Sequence, residues 1–237
     1  MICVHCGCPI DKTYRIFPGD NIRLATCSHC GKHADPYIET DNVIKFLDLI
    51  LHKTAIYRHV MFNQIPYRDR GIDIKILQMT FLILIFNTYS KIVSFLCSNE
   101  KRIHCEGEPM LFNSLNLSFS GYLSIIFSSC FDMLVYLTGV IISSKMFIYF
   151  FYKSVKIFKY NYLIMSLLFS SFGKIFLIFP LIFGYNTKFF WIVELFVLTS
   201  NALSISVILD ADVLSSSGII LFAYVFKVLI FRLFLKY

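Results

Sequence analysis

Hydrophobic and polar residues are distributed unevenly along this chain of 237 residues. Residues 1–70 mix short apolar runs with charged and turn-forming residues, whereas the remainder consists of long apolar stretches separated by polar loops. A helix needs about 20 mostly apolar residues to cross a bilayer, so each long stretch predicts a membrane span. We predict five spans, near residues 74–96, 119–142, 162–183, 189–209 and 218–235. The number falls to four if the third span, which Gly173, Lys174 and Pro180 interrupt, is re-entrant.

Residues 13–24, in the first part of the chain, have the alternation of a short β-hairpin. Thr13 to Phe17 alternate between polar and apolar side chains, residues 18–21 are turn formers, and residues 22–24 alternate again. We therefore predict two short strands joined by a tight turn.

Residues 43–51 form an apolar run that only Lys45 and Asp48 interrupt. Asp41 or Asn42 can cap the start of a helix there. The run is too short to span a bilayer and too apolar for a free surface helix. It therefore predicts a helix that lies in the headgroup region or is docked on the membrane bundle. The alternative is the core helix of a small soluble module.

The interfacial hypothesis assigns a place to each of five side chains. Ile44 and Leu47 enter the acyl boundary, while Arg58 and His59 meet anionic headgroups. Tyr57 suits the same depth, because a tyrosine ring prefers the interface and its hydroxyl stays in water. The sequence therefore predicts an interfacial amphipathic segment between the N-terminal module and the first span.

Composition supports this division of the chain. Hydrophobic residues make up 57% and charged residues 16%, against about 45–50% and about 25% in ordinary soluble domains, so a soluble globule is excluded. We predict a polar module followed by an all-α polytopic membrane bundle, with segments at residues 1–35, 36–70 and 71–237. Cys3 follows Met1 so closely that we expect no cleavable signal peptide before the module.

Four cysteines near the N-terminus have the spacing of a zinc ribbon. They form two Cys-x-x-Cys pairs about 20 residues apart, and they are Cys3, Cys6, Cys27 and Cys30. Each pair places two sulfurs on a tight turn, and Zn²⁺ prefers four soft ligands in a tetrahedron. A site closed by four thiolates has no open coordination position. The predicted zinc is therefore structural, and it supplies stability that so small a module lacks.

Alternatives to this zinc site remain open. The cysteines could be reduced thiols without a metal, and neighbouring residues could replace one of the four ligands; the neighbours are His5, Cys8, His29 and His33. A rubredoxin-type iron site uses the same four thiolates and the same Cys-Gly turns, which occur here at Cys6–Gly7 and Cys30–Gly31. Electron transfer therefore stays an alternative function.

Residues between and after the cysteine pairs form a second pattern. They are Asn21–Leu24, Ala34, Asp35, Tyr37–Glu39, Asp41, Asp48, Tyr57–His59 and Asn63. Together with the cysteines, this pattern resembles the Arv homology domain, the N-terminal module of the Arv lipid-homeostasis proteins. Pro36 and Thr40 depart from the pattern, which usually has a lysine and often an aromatic residue there, and neither departure affects the cysteines. Beyond Asn63 the resemblance is only in hydropathy.

The resemblance implies a membrane protein of the endoplasmic reticulum, with Golgi membranes as a second location. It implies roles in sterol distribution, in sphingolipid balance and in support of glycosylphosphatidylinositol (GPI)-anchor synthesis, without enzymatic activity. The implied partners are membrane lipids, namely sterols and sphingolipids, and the proteins of GPI-anchor or lipid-synthesis complexes. The alternative is a non-catalytic accessory subunit of a membrane enzyme complex, such as the first GPI-anchor glycosyltransferase.

Charge patterning predicts the orientation of the chain. The N-terminal module and residues 145–161 are rich in lysine and arginine, so we place both in the cytosol and residues 97–118 in the lumen. The net charge of +7 is spread among the loops beside the spans, so no nucleic acid is expected as a partner. The sequence also contains no nucleophile elbow, phosphate loop or His-Glu-x-x-His motif.

Charged residues inside the predicted spans come nearest to a chemical site. They are Asp132, Lys174, Glu194 and Lys227. A lysine at mid-membrane costs about 2.5–3.5 kcal/mol on insertion scales, so these groups should face one another, a cavity or water. We predict an intramembrane polar lining for a lipid headgroup or a sterol hydroxyl. The alternative is ordinary ion pairing between helices, or a span boundary placed wrongly.

Overall fold

Helices make up most of the fold. The computed structural model describes residues 1–17, 21–64, 74–99, 118–151, 160–179 and 187–234. In the following, the N-terminal module is residues 1–64 and the bundle is residues 74–234.

The N-terminal module begins with a two-stranded hairpin. Strand β1 (Tyr14–Phe17) pairs with strand β2 (Asn21–Leu24) in antiparallel register. The predicted hairpin is confirmed. Of its predicted turn at residues 18–21, residues 18–20 lie outside the described residues and Asn21 belongs to β2. A 3₁₀ turn (Pro36–Ile38) follows, and the Asp35 carboxylate caps it by accepting from the Tyr37 N–H at 3.2 Å. Proline fits the first position of such a turn, because the N–H that it lacks would have no partner there.

Two short helices complete the module. Helix α1 (Asn42–Ile50) begins where the sequence predicts it, and helix α2 (Thr54–Arg58) continues into a π-helical turn (His59–Gln64). His52 lies between the helices with a left-handed φ of 55°, which turns the chain sharply from α1 into α2.

In the described part of residues 74–234, five helices form the bundle. They are α3 (Ile74–Asn99), α4 (Phe119–Phe151), α5 (Tyr160–Ser170), α6 (Thr187–Leu209) and α7 (Val213–Phe234). Helix α5 continues as a 3₁₀ segment (Ser171–Leu177), which contains the predicted interruption by Gly173 and Lys174. Pro180 lies outside the described residues.

Four segments of the described chain are long and apolar enough to cross a membrane. They are Phe119–Phe151, Tyr160–Leu177, Phe189–Leu209 and Val213–Leu233. The first predicted span coincides with α3, a helix of 26 residues that is not one of these four. A fifth span therefore stays a prediction, while the predominantly helical membrane architecture is confirmed.

Several helix ends differ from the predicted spans, most clearly the end of α4 and the start of α7. Helix α4 continues beyond residue 142 to Phe151, and α7 begins at Val213 rather than at residue 218. In α4 the helix runs on through Ser143, Ser144 and Lys145, since backbone hydrogen bonding does not stop where the apolar pattern stops. At α7 the Asp212 carbonyl accepts from the Ser216 N–H at 3.0 Å, so the helix starts directly after the turn.

Serines bring α5 and α6 close together. Ser204 Oγ donates to the Ser166 carbonyl at 3.1 Å, and Ser200 Oγ donates to the Ser170 carbonyl at 2.7 Å. The two serines of each helix are four residues apart, so they lie on one face of it. Lipid tails are as apolar as leucine, and helices in a membrane therefore associate through close packing and interhelical hydrogen bonds. These serines supply both.

Candidate metal centre and buried polar cavity

The two cysteine pairs form turns of the same design. The Gly7 N–H donates to the Cys3 carbonyl at 2.9 Å, and the Gly31 N–H donates to the Cys27 carbonyl at 2.9 Å. Both glycines have positive φ, at 77° and 70°, a conformation that glycine adopts without steric cost. The Val4 N–H donates to the carbonyl of Ala34 at 2.9 Å and so ties the first turn to the chain after the second.

The turns bring four sulfurs together. The four cysteines are Cys3, Cys6, Cys27 and Cys30, and their Sγ atoms all lie within 4.8 Å of one another. Four sulfurs bound about 2.3 Å from a central ion would be about 3.8 Å apart in a regular tetrahedron. The Cys3–Cys30 and Cys6–Cys27 sulfurs are 3.7 Å and 3.6 Å apart. This donor set therefore fits a tetrahedral metal ion.

A second group overlaps the first. Cys8 and His29 lie with Cys6 in a further cluster of ligand atoms within 4.8 Å of one another. Cys6 belongs to both groups, and this cluster offers three ligands against four. Cys8 and His29, two of the alternative ligands, therefore lie beside the four-sulfur group.

Backbone groups of the second turn favour a thiolate. The N–H groups of Cys30 and His29 donate to the Cys27 sulfur and lower its pKa to about 6. Burial acts in the opposite direction at Cys3, where it raises the pKa. Because the thiolate is the metal-binding form, Cys27 is prepared for a metal at neutral pH, and Cys3 would release its proton on binding.

A buried carboxylate connects the chain after the second cysteine turn to the π-helical turn that follows α2. Asp35 is completely buried, and its Oδ2 accepts from His59 Nδ1 at 2.8 Å and from Asn63 Nδ2 at 2.7 Å. The Asn63 amide also pairs with the backbone of Ile2, since it accepts from the Ile2 N–H and donates to the Ile2 carbonyl, both at 2.9 Å. Asn63 therefore fixes the end of the module to its beginning, and Asp35 holds Asn63 in place.

A second carboxylate holds α1 in place. Asp48 accepts from the Tyr37 hydroxyl at 2.8 Å, and its other oxygen lies 2.6 Å from Lys53 Nζ. The Lys53 ammonium, with the Tyr37 hydroxyl, holds the pKa of Asp48 below its usual value. Burial, and next the bond to Asp48, raises the pKa of Tyr37. The inner face of α1 is thereby fixed within the module.

Tyr57 joins the module to the bundle. Its side chain is completely buried, and its hydroxyl lies 2.8 Å from Ser200 Oγ on α6. Ser200 uses its own proton on the Ser170 carbonyl, so Tyr57 is the donor. Burial raises the pKa of Tyr57 to about 12. The predicted hydroxyl in water is therefore wrong, because this side chain packs in an apolar cluster with Phe172 and Val207 of the bundle.

The predicted headgroup contact of His59 is also wrong, whereas that of Arg58, which is half-buried, stays a prediction. The Arg58 guanidinium donates to the carbonyls of Val4 and His5, at 3.2 Å and 2.9 Å, and so covers the first cysteine turn. His59 is buried on Asp35. Both side chains make hydrogen bonds with polar groups of the module. The sequence alone cannot distinguish such bonds from contacts with lipid headgroups, because basic residues suit both.

The outer face of α1 is apolar and exposed. This outer face consists of Val43, Ile44, Phe46, Leu47 and Leu51. Ile44 and Leu47 are 46% and 51% exposed, so both side chains are available to a membrane, and their place at the interface stays a prediction.

Charged residues of the bundle meet in its interior. Oδ2 of Asp132 on α4 lies 3.3 Å from Lys227 Nζ on α7 and 3.6 Å from Lys91 Nζ on α3. Lys174 and Glu194 line the same small cavity of about 40 Å³ as Asp132 and Lys227. The structure therefore places the residues of the predicted lining around one space, called the inner cavity below, and what it holds stays a prediction.

A row of hydrogen bonds connects the module to the inner cavity. Tyr57 donates to Ser200, and Ser200 donates to the Ser170 carbonyl. The Ser170 hydroxyl donates to Asn201 Oδ1, and Asn201 Nδ2 donates to the Tyr136 hydroxyl at 2.8 Å. Asn201 and Tyr136 line the inner cavity. The cysteine module and the cavity are thus joined by buried polar groups.

Sequence reasoning missed this row. It noted Lys91 in the first span, as a residue that faces protein or reaches the interface, but did not group it with Asp132. The signal that could have found part of the row is the spacing of serines, since Ser166 and Ser170, like Ser200 and Ser204, are four residues apart within apolar spans. Small polar residues at that spacing mark the contact face of a membrane helix.

These features define a class of protein. It is a predominantly helical membrane protein with four candidate spanning helices and an N-terminal group of four cysteines that could hold a metal ion. A family model described as the Arv1-like family matches residues 2–205. The chain therefore belongs to the Arv1-like family, and the resemblance seen in its residues is confirmed.

Individual relatives agree with this assignment. The chain is 37% identical over 235 residues to Protein arv1 homolog of Dictyostelium discoideum, which covers 97% of this chain and 93% of the relative. It is 25% identical over 237 residues to Protein ARV 1 of Arabidopsis thaliana, with 98% and 88% covered. With Protein ARV1 of Saccharomyces cerevisiae it shares 44% identity over 63 residues, which cover 27% of this chain and 20% of the relative. No solved structure matches the chain.

Proposed function

We propose that this chain is a non-enzymatic membrane protein of the endoplasmic reticulum, and of Golgi membranes as a second location, that mediates or regulates the intracellular transport of sterols and other lipids. The proposal includes the maintenance of sphingolipid balance and the support of GPI-anchor synthesis, with the N-terminal module in the cytosol. It is supported by membership of the Arv1-like family and by the four apolar helices.

The observation that carries the proposal is the charged cavity within a bundle of apolar helices. Ionisable groups inside a membrane segment are costly, and where they occur they face a cavity, a ligand or one another. Asp132, Lys174 and Glu194 line one cavity. A lipid is a ligand that can reach such a cavity from the bilayer without crossing water.

The cysteine module has a structural role in this proposal. Zinc would be held by the four clustered cysteines, and a closed four-thiolate site has no position for substrate or water. Its effect would be to fold the module, which in turn places Tyr57 on α6.

Cells that lack their own member of the family test the proposal. Expression of this chain should move sterol from the endoplasmic reticulum to the plasma membrane, as measured by fractionation of organelles and mass analysis of their sterols. The chain with Cys8→Ser serves as a matched control and should rescue equally well. An unchanged sterol distribution, at a normal level of correctly located protein, would contradict the proposal.

A second candidate function is that of an accessory subunit of a membrane enzyme complex. The exposed apolar outer face of α1 favours it, because such a face can also bind a partner protein. Purification in mild detergent, with identification of every co-eluting protein, separates this candidate from direct lipid binding. A stoichiometric enzyme subunit in the eluate would favour the accessory role.

We expect the outer face of α1 to enter the membrane interface. Leu47→Trp, introduced into the full chain with Trp191→Phe, should emit at short wavelength in liposomes and be quenched by lipids with brominated acyl chains. The physical reason is that transfer of a large apolar side chain out of water gains about 1.5–3 kcal/mol. The matched control is Glu39→Trp, at an exposed position of the module outside this face.

Substitutions in the outer face of α1 should also change the sterol phenotype. Ile44→Asp with Leu47→Asp should weaken the sterol phenotype while the metal content stays unchanged, because neither side chain touches the cysteines. Equal quenching of the tryptophans at positions 47 and 39 would mean that α1 does not enter the membrane.

A further inference from the structure

Two oppositely charged side chains in the bundle interior stay apart from each other. Lys174 lies on the 3₁₀ segment after α5, and Glu194 lies on α6. Within the described residues, neither of them forms an ion pair within 4 Å, whereas Asp132 lies within that distance of Lys91 and Lys227. A charge inside a membrane is costly, and opposite charges attract each other less as their separation grows. The bundle therefore holds a separated cation and anion.

The two segments that carry these charges pack directly against each other. Gly173 precedes Lys174 and permits the close approach, because a Cβ at position 173 would clash with the Phe196 ring on α6. Phe172 and Phe196 also meet edge to face, with ring centres 5.6 Å apart. This packing fixes the backbone position of Lys174 relative to that of Glu194.

Both charges line a second cavity, called the outer cavity below, which has a volume of about 210 Å³. Its lining also includes Asn87, Ser90 and Tyr224, which are neutral side chains able to form hydrogen bonds. Pockets for drug-sized ligands measure about 300–1,000 Å³. The outer cavity therefore has room for a polar headgroup but is too small for a whole lipid or sterol.

The outer cavity reaches the surface of the bundle near the start of α6. Trp191 lines the cavity and is 69% exposed. It is four residues after Thr187, the first residue of α6, which corresponds to about 6 Å along the helix axis. Tryptophan is enriched at the level of the headgroups. Leu195 lies one turn further along the same face and is 61% exposed, so acyl chains can cover it while a headgroup occupies the cavity.

We infer that the outer cavity binds the headgroup of a zwitterionic phospholipid, with Lys174 next to its phosphate and Glu194 next to its ammonium group. The described lining contains one cation and one anion, and a ligand that is neutral overall but carries both charges supplies a partner to each. A sterol carries neither charge, and an anionic lipid would leave Glu194 without a partner and be repelled by it. The inference deepens the proposed lipid function and rests on it for its biological meaning.

The single tryptophan of the chain makes the site observable. The purified full chain would be reconstituted in vesicles of equal parts unlabelled phosphatidylcholine and phosphatidylglycerol. A small, equal mole fraction of one of three lipids with brominated acyl chains would then be added: phosphatidylcholine, phosphatidylglycerol or diacylglycerol. Brominated phosphatidylcholine should quench Trp191 most strongly, with an apparent preference of about tenfold over each of the others, the order expected for one charge-assisted contact.

Three variants distinguish electrostatic binding from loss of structure. Glu194→Gln should raise quenching by phosphatidylglycerol to the level of phosphatidylcholine, because it removes both the partner of the ammonium group and the repulsion of the anionic lipid. Lys174→Gln should lower quenching by phosphatidylglycerol below that by diacylglycerol, because the phosphate loses its cation. Lys145→Gln, on α4 and outside both linings, should leave all quenching ratios unchanged. A purely structural role would not produce opposite effects, and the Glu194 variant keeps the test valid if Lys174→Gln does not fold.

The remaining outcomes are equally defined. Equal quenching of the wild-type chain by phosphatidylcholine and phosphatidylglycerol, or ratios that neither variant changes, overturns the inference. Loss of the preference on addition of soluble phosphocholine at constant ionic strength would assign the cavity to a small soluble zwitterion and would also overturn it. Because the assay uses purified protein, a negative result leaves the sterol experiment in cells untouched, and a positive result does not depend on it.

Discussion

Cys27→Ser is expected to remove the metal and to unfold the N-terminal module. Metal binding to structural zinc sites of this kind contributes on the order of 10–16 kcal/mol of coupled folding free energy. A module of 64 residues buries too little apolar surface to replace such a contribution. Serine keeps the size of the side chain, but its hydroxyl is a poor replacement for a thiolate whose pKa is already lowered to about 6.

Elemental analysis of the purified full chain provides the measurement. We expect one zinc ion for each wild-type chain and almost none for Cys27→Ser, together with a lower protein level in cells. Cys8→Ser is the matched control, because Cys8 lies beside the site but outside the group of four sulfurs. It should keep the full zinc content.

Three results would contradict this prediction in different ways. Iron in place of zinc would favour the rubredoxin-type alternative and electron transfer. The absence of any metal after gentle purification would favour reduced cysteines without a ligand role. Loss of zinc in Cys8→Ser would move the ligand set towards the overlapping group of Cys6, Cys8 and His29.

Loss of the metal should also weaken the contact between the module and the bundle. Arg58 donates to carbonyls of the first cysteine turn, and Tyr57, its neighbour in the chain, donates to Ser200. If the turn unfolds, Arg58 loses its hydrogen-bond acceptors, and α2 loses one of the contacts that hold it in place. The metal site therefore supports the contact with α6 as well as the ribbon itself.

Local spacing was enough to predict the parts of the module that depend on neighbours in sequence. The Cys-x-x-Cys turns, the hairpin and the start of α1 are each determined within a few residues. Tyr57 could not be placed in this way, because its partner Ser200 is 143 residues away in the chain. An amphipathic tyrosine fits a membrane interface and a protein interior equally well, and only the tertiary structure distinguishes them.

In the bundle, the cost of burying charge predicted that charged residues would gather around a common space. It could not predict which charges would pair. Asp132 lies within 4 Å of two lysines, whereas Lys174 lines the cavity. The hydropathy pattern also could not predict where the helices end, as the extension of α4 to Phe151 illustrates.

Asp35→Ala is expected to cause the largest loss of stability of any single substitution outside the cysteines. Asp35 is completely buried and accepts from His59, Asn63 and the Tyr37 N–H. Alanine leaves His59 and the Tyr37 N–H without this acceptor in a buried site, and each buried donor left unpaired costs about 1–3 kcal/mol. The half-buried Asn63 loses one of its two acceptors and keeps the Ile2 carbonyl. We expect a total of about 3–5 kcal/mol, the range measured when one partner of a buried charged network is removed.

Hydrogen exchange of the full-length protein in detergent measures this loss where it occurs. Peptides from the module should lose at least about a hundredfold of their protection, while peptides from α4 and α7 change little, because local opening reports local stability. Asp41→Ala is the matched control: Asp41 is exposed, its side chain makes no capping bond to α1, and its loss should cost within about 0.5 kcal/mol.

The pair of Asp35 with His59 adds a stricter test. If the two side chains stabilise the module through their contact of 2.8 Å, Asp35→Ala combined with His59→Ala should cost clearly less than the sum of the single substitutions. The double variant removes the donor that the first substitution leaves unpaired, and about 1–3 kcal/mol should be recovered. Fully additive costs, or an effect of Asp35→Ala no larger than that of Asp41→Ala, would show that this buried network does not hold the module together.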